Sequence, residues 1–447
     1  MSLKDSAVFA LVPVVYGYQK LYTVIPNSTS GDVTFSRGTT SSRINSGGLI
    51  EITPAHFPTV DYKMVNAEIV GCPEQSIQMG RTNFLRSNID FVSPTYWLLN
   101  NVTQVTDANL ETPTGAFGCV RFMEGTTGTT DKKITQTVSV VNGRTYSFSV
   151  YVKPYNTDTS NKPYDQAVRL RFGSNDAKFD IQTGWSNATS ARDAQVQKLP
   201  NGWLRVSAKF TANSSSMTCE IWLIKTNQNS FVNNYSGDVD RGVMMYGAQL
   251  ESNPGSSANE PSSLIPTTTT TVTRSKDSQY RTNFFSSYIQ EPYALYWEGT
   301  IDRLTSGQSP LAVYGTNSTV FSFYLTNENT INVFGRASGG SEVLTSFDFK
   351  KIKGDYLKVV AQYISSTEVS LCVNGSYLGQ KTRSSVVNNT SMKNISIGYK
   401  GYTDNQQRQS CSQALIIPRK LTEAECIEIT TSDSFEKTVK EYKYLKA

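Results

Sequence analysis

The sequence predicts a mainly β protein: an extended N-terminal arm followed by two antiparallel β-sandwich domains of jelly-roll type. Three observations predict it. Thr, Ser, Asn, Val, Tyr and Phe are in excess, and these residues suit pleated, half-buried strands and polar turns better than helices. Apolar residues recur at every second position in many short runs, the pattern of strands with one buried face. The chain has 447 residues, more than a single hydrophobic core supports, so two or three units are expected.

Residues 1–80 begin with an apolar stretch, Ala7 to Tyr18, interrupted by Pro13 and Gly17 and preceded by no basic leader beyond Lys4. It has no clear small-residue cleavage site and falls short of the about 20 apolar residues of a membrane span, so neither signal peptide nor span is expected. The polar continuation, GDVTFSRGTTSSRINSGGLIE, offers few core residues. An arm with so little apolar surface gains order by lying on partner subunits.

Residues 81–253 read as the first sandwich. Tyr146, Phe148, Val150 and Val152 alternate with Ser147, Ser149 and Tyr151, and Asn142-Gly143 before them suggests a hairpin with the strand ITQTVSVV. The alternation returns at Val168, Leu170 and Phe172, at Leu204, Val206, Ala208 and Phe210, and at Cys219, Ile221 and Leu223. Residues 254–277, rich in Pro, Ser and Thr and including Thr267 to Thr271, read as a linker.

Residues 278–432 read as a second sandwich, with alternation at Phe321, Phe323 and Leu325, at Leu357, Val359, Ala361 and Tyr363, and at Val369, Leu371 and Val373 before Asn374-Gly375. Thr422 and Glu425 have the spacing of a capping box and place a short helix after the strand ALIIP. Residues 433–447 form a charged tail with the pattern of a short exposed helix.

Charge and rare residues exclude several functions. Lysine and arginine number 42 against 37 acids, a net charge of +5 without a basic run, so nucleic-acid binding is not expected. The six cysteines lie far from one another, without the short spacings of zinc or redox pairs, and are expected to be reduced and mostly buried. The Asn-x-Ser/Thr sequons, Asn101 and Asn317 among them, read as polar loops. His56 is the sole histidine, which rules out a histidine-based triad and a multi-histidine metal site. No carboxylate pair stands out as a glycosidase pair, which only spatial separation identifies. No cofactor is expected. Asp238 and Asp240 are potential calcium ligands, but a complete site needs six or more oxygens, and a solvated loop is the preferred reading.

Sugar sites commonly pair exposed aromatic faces with hydrogen-bonding side chains. Trp185, in the polar run TGWSN, and Trp222, out of phase with Ile221 and Leu223, are the tryptophans expected to be exposed, whereas Trp203 in NGW is expected to pack. In the arm, Phe35, Arg37, Arg43 and His56 are the candidate assembly contacts, because guanidinium groups pair well with a neighbour's carboxylates.

Several stretches carry a resemblance. Gly31-Asp32 through Phe35, Arg37, Arg43, Asn45 and Gly48-Leu49-Ile50-Glu51, then CPEQSIQMGRTNFLRSNIDF at Cys72 to Phe91, resemble the N-terminal signature of tailed-phage fibre and decoration proteins and its transition into a first sandwich. VNGRTYSFSVYVKP, LPNGWLRVS, YGAQLES and LIPTTTTTVTRSKD follow in that group's order, and the set is most similar to virion proteins of crAss-like phages. LCVNGSYLG and IIPRKLTEAE resemble the laminin-G or concanavalin-A-like lectin group.

The resemblance implies a non-enzymatic virion subunit, with a head fibre preferred over a tail-associated fibre. It docks by its arm on capsid or tail proteins, presents a carbohydrate-binding-module-like and a lectin-like sandwich to host-surface or mucosal glycans, and assembles as a homotrimer, with a dimer as the alternative. Multiple copies would let weak sugar contacts act together. The rival readings are a glycan depolymerase, commonly a β-helix with short repeats not found here, and a bacterial surface adhesin, which should carry a secretion signal.

Overall fold

The computed structural model describes residues 6–431 except 26–30, 126–127, 129–130, 158–164, 188–191, 228–229, 253–260, 286–288, 302–308, 316–318, 328–329, 337–339, 350–355, 384–391 and 400–408. The expected charged tail at 433–447 and the Asn317 sequon lie outside the described residues. Of the described residues 60% are in strands and 4% are helical, with large antiparallel sheets in a β-sandwich arrangement, as the alternating sequence predicts.

The first sandwich packs two sheets face to face. One sheet runs Val102–Glu111, Phe117–Glu124, Arg241–Ser252, Thr145–Asn156, Leu204–Thr211 and Arg192–Lys198, with Arg81–Asn83 and Val272–Arg274 joined at its side. The other runs Leu98–Asn100, Lys133–Ser139, Ser216–Asn227, Gln166–Phe172, Asn175–Asp180 and Ser186–Asn187, with Ser230–Val232 beside Ser216–Asn227. The alternating sets at Tyr146 to Val152, Val168 to Phe172, Leu204 to Phe210 and Cys219 to Leu223 meet in one core between these sheets.

Asn142-Gly143 does not close a hairpin. Lys133–Ser139 pairs with Ser216–Asn227 in one sheet, and Thr145–Asn156 pairs with Leu204–Thr211 in the other. Both strands have an apolar face, and the chain arches so that those faces pack against each other instead of lying side by side. Gly143 supplies the positive φ, 77°, that the arch requires.

The second sandwich is built from a 14-stranded antiparallel array that wraps around its own core. Tyr293 stacks on Tyr363 at 5.3 Å, and Phe321 meets both rings edge-on from a facing strand. The sequence Asn374-Gly375, with φ of 46° and 79°, turns Glu368–Val373 back into Ser376–Thr382. The capping box forms: Thr422 N donates to Glu425 Oε2 at 2.8 Å and Glu425 N donates to Thr422 Oγ1 at 3.3 Å, opening the helix Glu423–Thr431.

The N-terminal segment departs from the extended arm expected of it. Phe9–Gly17, Lys20–Ile25 and Val33–Ser36 are strands of the second sandwich: Phe9 to Leu11 pair with Ala414 to Ile416, and Thr34 to Ser36 pair with Ser278 to Tyr280. Phe9, Leu11, Leu21 and Val33 belong to that sandwich's core. The segment has too little apolar surface for a core of its own but enough to complete one built elsewhere. The first sandwich is thus inserted into the second, which holds both the first and the last described strands, Phe9–Gly17 and Gln413–Ile417. The remainder of the expected arm crosses between the two, and Ile44 and Ile50 cover the outer face of the first sandwich beside Tyr151, Trp203 and Leu264.

The Pro-, Ser- and Thr-rich stretch is not a free linker where it is described. Leu264, Ile265 and Thr267 are buried, Thr267 Oγ1 donates to Leu85 O at 2.8 Å, and Val272–Arg274 pairs with Arg81–Asn83. Two aliphatic side chains and a bonded hydroxyl are enough to hold such a strand on the sandwich. No helix among the described residues is long and apolar enough to cross a membrane.

Candidate functional site

The outer face of the sheet carrying Ser216–Asn227 gathers the aromatic residues that the sequence singled out. Because side chains alternate, Cys219, Ile221 and Leu223 enter the core while Glu220, Trp222 and Ile224 face outward. Register places Lys133, Trp222, Arg169 and Lys178 in one cross-strand row, and Thr135, Glu220, Arg171 and Asp176 in the next.

Trp222 was expected to be an exposed ring, and the structure corrects this: it is only 5% exposed. Its outward direction was legible, but three cations from neighbouring strands lie over it, at 4.5 Å for Lys133, 4.8 Å for Arg169 and 5.9 Å for Arg171. Long basic side chains cover an aromatic face with their stems and are attracted by its π electrons. The indole Nε1 donates to Glu220 Oε2 at 2.6 Å, and Glu220 also pairs with Lys133 at 3.6 Å and Arg171 at 3.5 Å. Arg169 pairs with Asp176. The result is a rigid charged sheet surface with an indole at its centre.

Trp185 is half-buried and stacks on Phe231 with centroids 4.8 Å apart and planes inclined by 12°. Phe231 packs in turn against the cluster of Trp222, Ile224 and Ala167. The two tryptophans therefore lie on one apolar strip linked through Phe231, a residue sequence reading missed. Its signal was the alternation of Trp222, Ile224 and Thr226, since Thr226 pairs with Phe231. The segment bearing Phe231 is anchored by Tyr235, whose hydroxyl donates to Glu124 Oε1 at 2.7 Å and whose carbonyl accepts from Lys132 Nζ at 2.7 Å. Burial raises the Tyr235 hydroxyl pKa, as does the Glu124 charge; burial lowers that of Lys132 despite the same carboxylate.

The four residues expected at an assembly interface bind within their own chain. Phe35 is fully buried beside Gln279. Arg37 is buried and paired with Asp277 at 3.1 Å. Arg43 Nη2 donates to Glu51 Oε1 and Arg43 Nη1 to the Tyr16 hydroxyl, both at 2.9 Å. His56 is half-buried at φ 63°, with its ring edge-on to Tyr18 at 5.8 Å. Arg37 takes its carboxylate from a distant part of this chain, Asp277, because the segment is folded into it, whereas Arg43 and His56 find Glu51, Tyr16 and Tyr18 within the N-terminal segment itself.

Asp238 and Asp240 belong to a closed loop: Asp238 N donates to Glu124 Oε2 and Asp240 N to Asp238 Oδ1, both at 3.1 Å. Among the described residues no group of three or more His, Cys, Asp or Glu side chains is placed to hold a metal. Five cysteines are buried and Cys72 is exposed, and none is in a disulfide. Burial pushes the Cys119 and Cys426 thiols up to about 12, which makes poor nucleophiles of them. Trp203 packs internally at 1% exposure.

No family model matches the chain, and no curated protein matches it. Solved structures give partial likenesses. Domain 4 of AbnA, a GH43 extracellular arabinanase from Geobacillus stearothermophilus, in complex with arabinotriose, is 12% identical over 35% of this chain and 73% of its own, with a TM-score of 0.29. The CBM40 of the Ruminococcus gnavus IT-sialidase, bound to α2,6 sialyllactose, is 16% identical over 32% and 84%, at 0.27. The heptameric SAP-like pentraxin of Limulus polyphemus is 13% identical over 32% and 71%, also at 0.27. These scores carry neither ligand nor activity across.

Proposed function

We propose that this protein is a non-enzymatic virion subunit, a surface fibre or decoration protein, that holds host-surface or mucosal glycans on the outer face of its first sandwich. The observation that carries the glycan reading is the Trp185–Phe231–Trp222 strip, flanked by guanidinium, ammonium and carboxylate groups. Trp185 and Phe231 are half-buried while Trp222 is covered and backs them, and partly open aromatic surface beside fixed donors and acceptors suits a sugar's C–H face and hydroxyls. The virion reading is supported by the ordered motifs from Gly31 to Asp277, and a capsid or tail protein is the proposed partner.

Phe35 and Arg37 are internal, so attachment uses other surfaces of the N-terminal region. A homotrimer is the proposed assembly, in which repeated sandwiches bind glycan surfaces multivalently. Cryo-electron microscopy of the intact particle tests the virion reading. Symmetric density on the capsid matches a head fibre, density at the tail matches a tail-associated fibre, and absence from the particle overturns the reading.

A further inference from the structure

Where the edge strands of the two sheets of the first sandwich meet, the chain crosses from Leu98–Asn100 to Val102–Glu111 through Asn101, at φ 48°. Beside this crossing lies an open groove of roughly 610 Å³, lined by Asp90, Val92 and Ser93 on one side and by Leu99, Gln104 and Thr106 on the other. Its volume falls within the range of about 300–1,000 Å³ usual for small-molecule sites.

The groove's walls are fixed. Phe91 is fully buried, 5.1 Å from the Trp97 ring and 5.4 Å from Phe122. Trp97 Nε1 donates to the Arg86 and Ser87 carbonyls at 3.1 Å. The Ser87 hydroxyl donates to Asp90 Oδ1 and accepts from Val92 N at 2.8 Å. Gln104 Nε2 reaches across to the Asp90 carbonyl at 2.9 Å. The loop bearing Asp90 is therefore held from below by aromatic packing and from the opposite wall by Gln104, so a ligand would meet a preformed surface rather than ordering one.

We propose that this groove is a binding site for a neutral saccharide of two or three rings. Hydroxyl, carboxamide and carboxylate groups supply donors and acceptors for sugar hydroxyls, and Val92 and Leu99 supply apolar surface for the ring's C–H face. Among the described residues no lysine or arginine lines the groove and Asp90 does, so an acidic sugar meets a like charge there without a compensating cation from them. The site is separate from the Trp185 face, and neither depends on the other.

The test is saturation-transfer NMR and calorimetry on the full chain with lactose, maltose and cellobiose, and glucuronic acid as the charged control. At least one disaccharide should bind with a Kd on the order of 1 mM. Binding should weaken at least about tenfold in Gln104→Ala and in Thr106→Trp, which fills the groove, and persist in Trp185→Ala. Circular dichroism of Thr106→Trp separates occlusion from misfolding, and Gln104→Ala provides a reading that does not add bulk. Absence of disaccharide binding, binding unchanged in both groove variants, or equal binding of glucuronic acid overturns the proposal. Loss of binding in Trp185→Ala alone assigns the sugar to the other face and also overturns it.

Discussion

Arg37 and Asp277 stand 240 positions apart in sequence and 3.1 Å apart in space, both side chains fully buried, where the chain leaves the second sandwich and where it returns. Arg37 also donates to Thr39 O, Thr59 Oγ1, Pro54 O and Phe57 O, so its guanidinium is saturated, and Asp277 Oδ2 accepts from Gln78 N at 2.8 Å. One ion pair thus clasps both ends of the inserted sandwich.

Removing one partner should be costly because the other charge remains buried without compensation. Arg37→Met is expected to lower stability by about 3–5 kcal/mol. Replacing both, in Arg37→Met with Asp277→Leu, should cost less than the sum of the single changes. Denaturant unfolding of the four proteins as a double-mutant cycle measures this coupling.

The inserted architecture makes the chain's first strands part of the second sandwich. A protein lacking residues 1–36 should lose the fold of that sandwich while the first stays cooperative, because Phe9, Leu11, Leu21 and Val33 leave its core. Limited proteolysis with mass spectrometry should recover a protected fragment spanning about residues 81–274. Equal protection of both sandwiches in the truncated protein would contradict the insertion.

The junction also fixes a pH response. Burial pushes the Glu251 carboxyl up, but Arg81, the Ser262 hydrogen bond, Arg274 and Arg205 outweigh it and hold the pKa below its ordinary value. A depressed folded pKa contributes stability that is present above the unfolded pKa, near 4.5, and lost as pH falls through the folded value. Burial raises Asp277 despite Arg37, so its contribution has the opposite sign: it is present at low pH and lost as pH rises through the folded value. Glu251→Gln should therefore flatten the fall in melting temperature below about pH 4.5, measured calorimetrically against the parent.

At the helix start, the Arg419 hydrogen bond, aided by Thr422, lowers Glu425 to about 2. The capping box should thus persist until pH falls toward 2. Thr422→Ala should fray the helix Glu423–Thr431 at neutral pH, at a cost of about 1 kcal/mol. Amide hydrogen exchange over that helix is the measurement.

Gly375 sits at φ 79°, and a Cβ there would approach Thr431 Cγ2 to 2.3 Å. Gly375→Ala combines backbone strain with this clash and should cost more than about 1 kcal/mol. Pairing it with Thr431→Ala should recover part of the loss in denaturant unfolding.

Much of the fold was legible because alternation reports which side of a strand is buried. Val168, Leu170 and Phe172 needed no other information to be placed in a core. Alternation does not report the partner strand, so Asn142-Gly143 read as a hairpin although its flanking strands belong to opposing sheets. It does not report pairing across hundreds of residues either, and Phe9 read as part of an arm because its partner, Ile416, lies near the other end of the chain. At the candidate site, Trp222's outward direction was readable. Its cover was not, because Lys133, Arg169 and Arg171 come from other strands and only register aligns them over the ring.

The most direct test of the glycan reading is a glycan array probed with the intact protein, Trp185→Ala and Phe231→Ala, followed by calorimetry on the strongest ligand. Both substitutions remove half-buried surface groups, so the proteins should stay folded while the affinity of a ligand on this face falls by about tenfold or more. Ligands bound equally by all three proteins, or an array without binding, would contradict the assignment of that face.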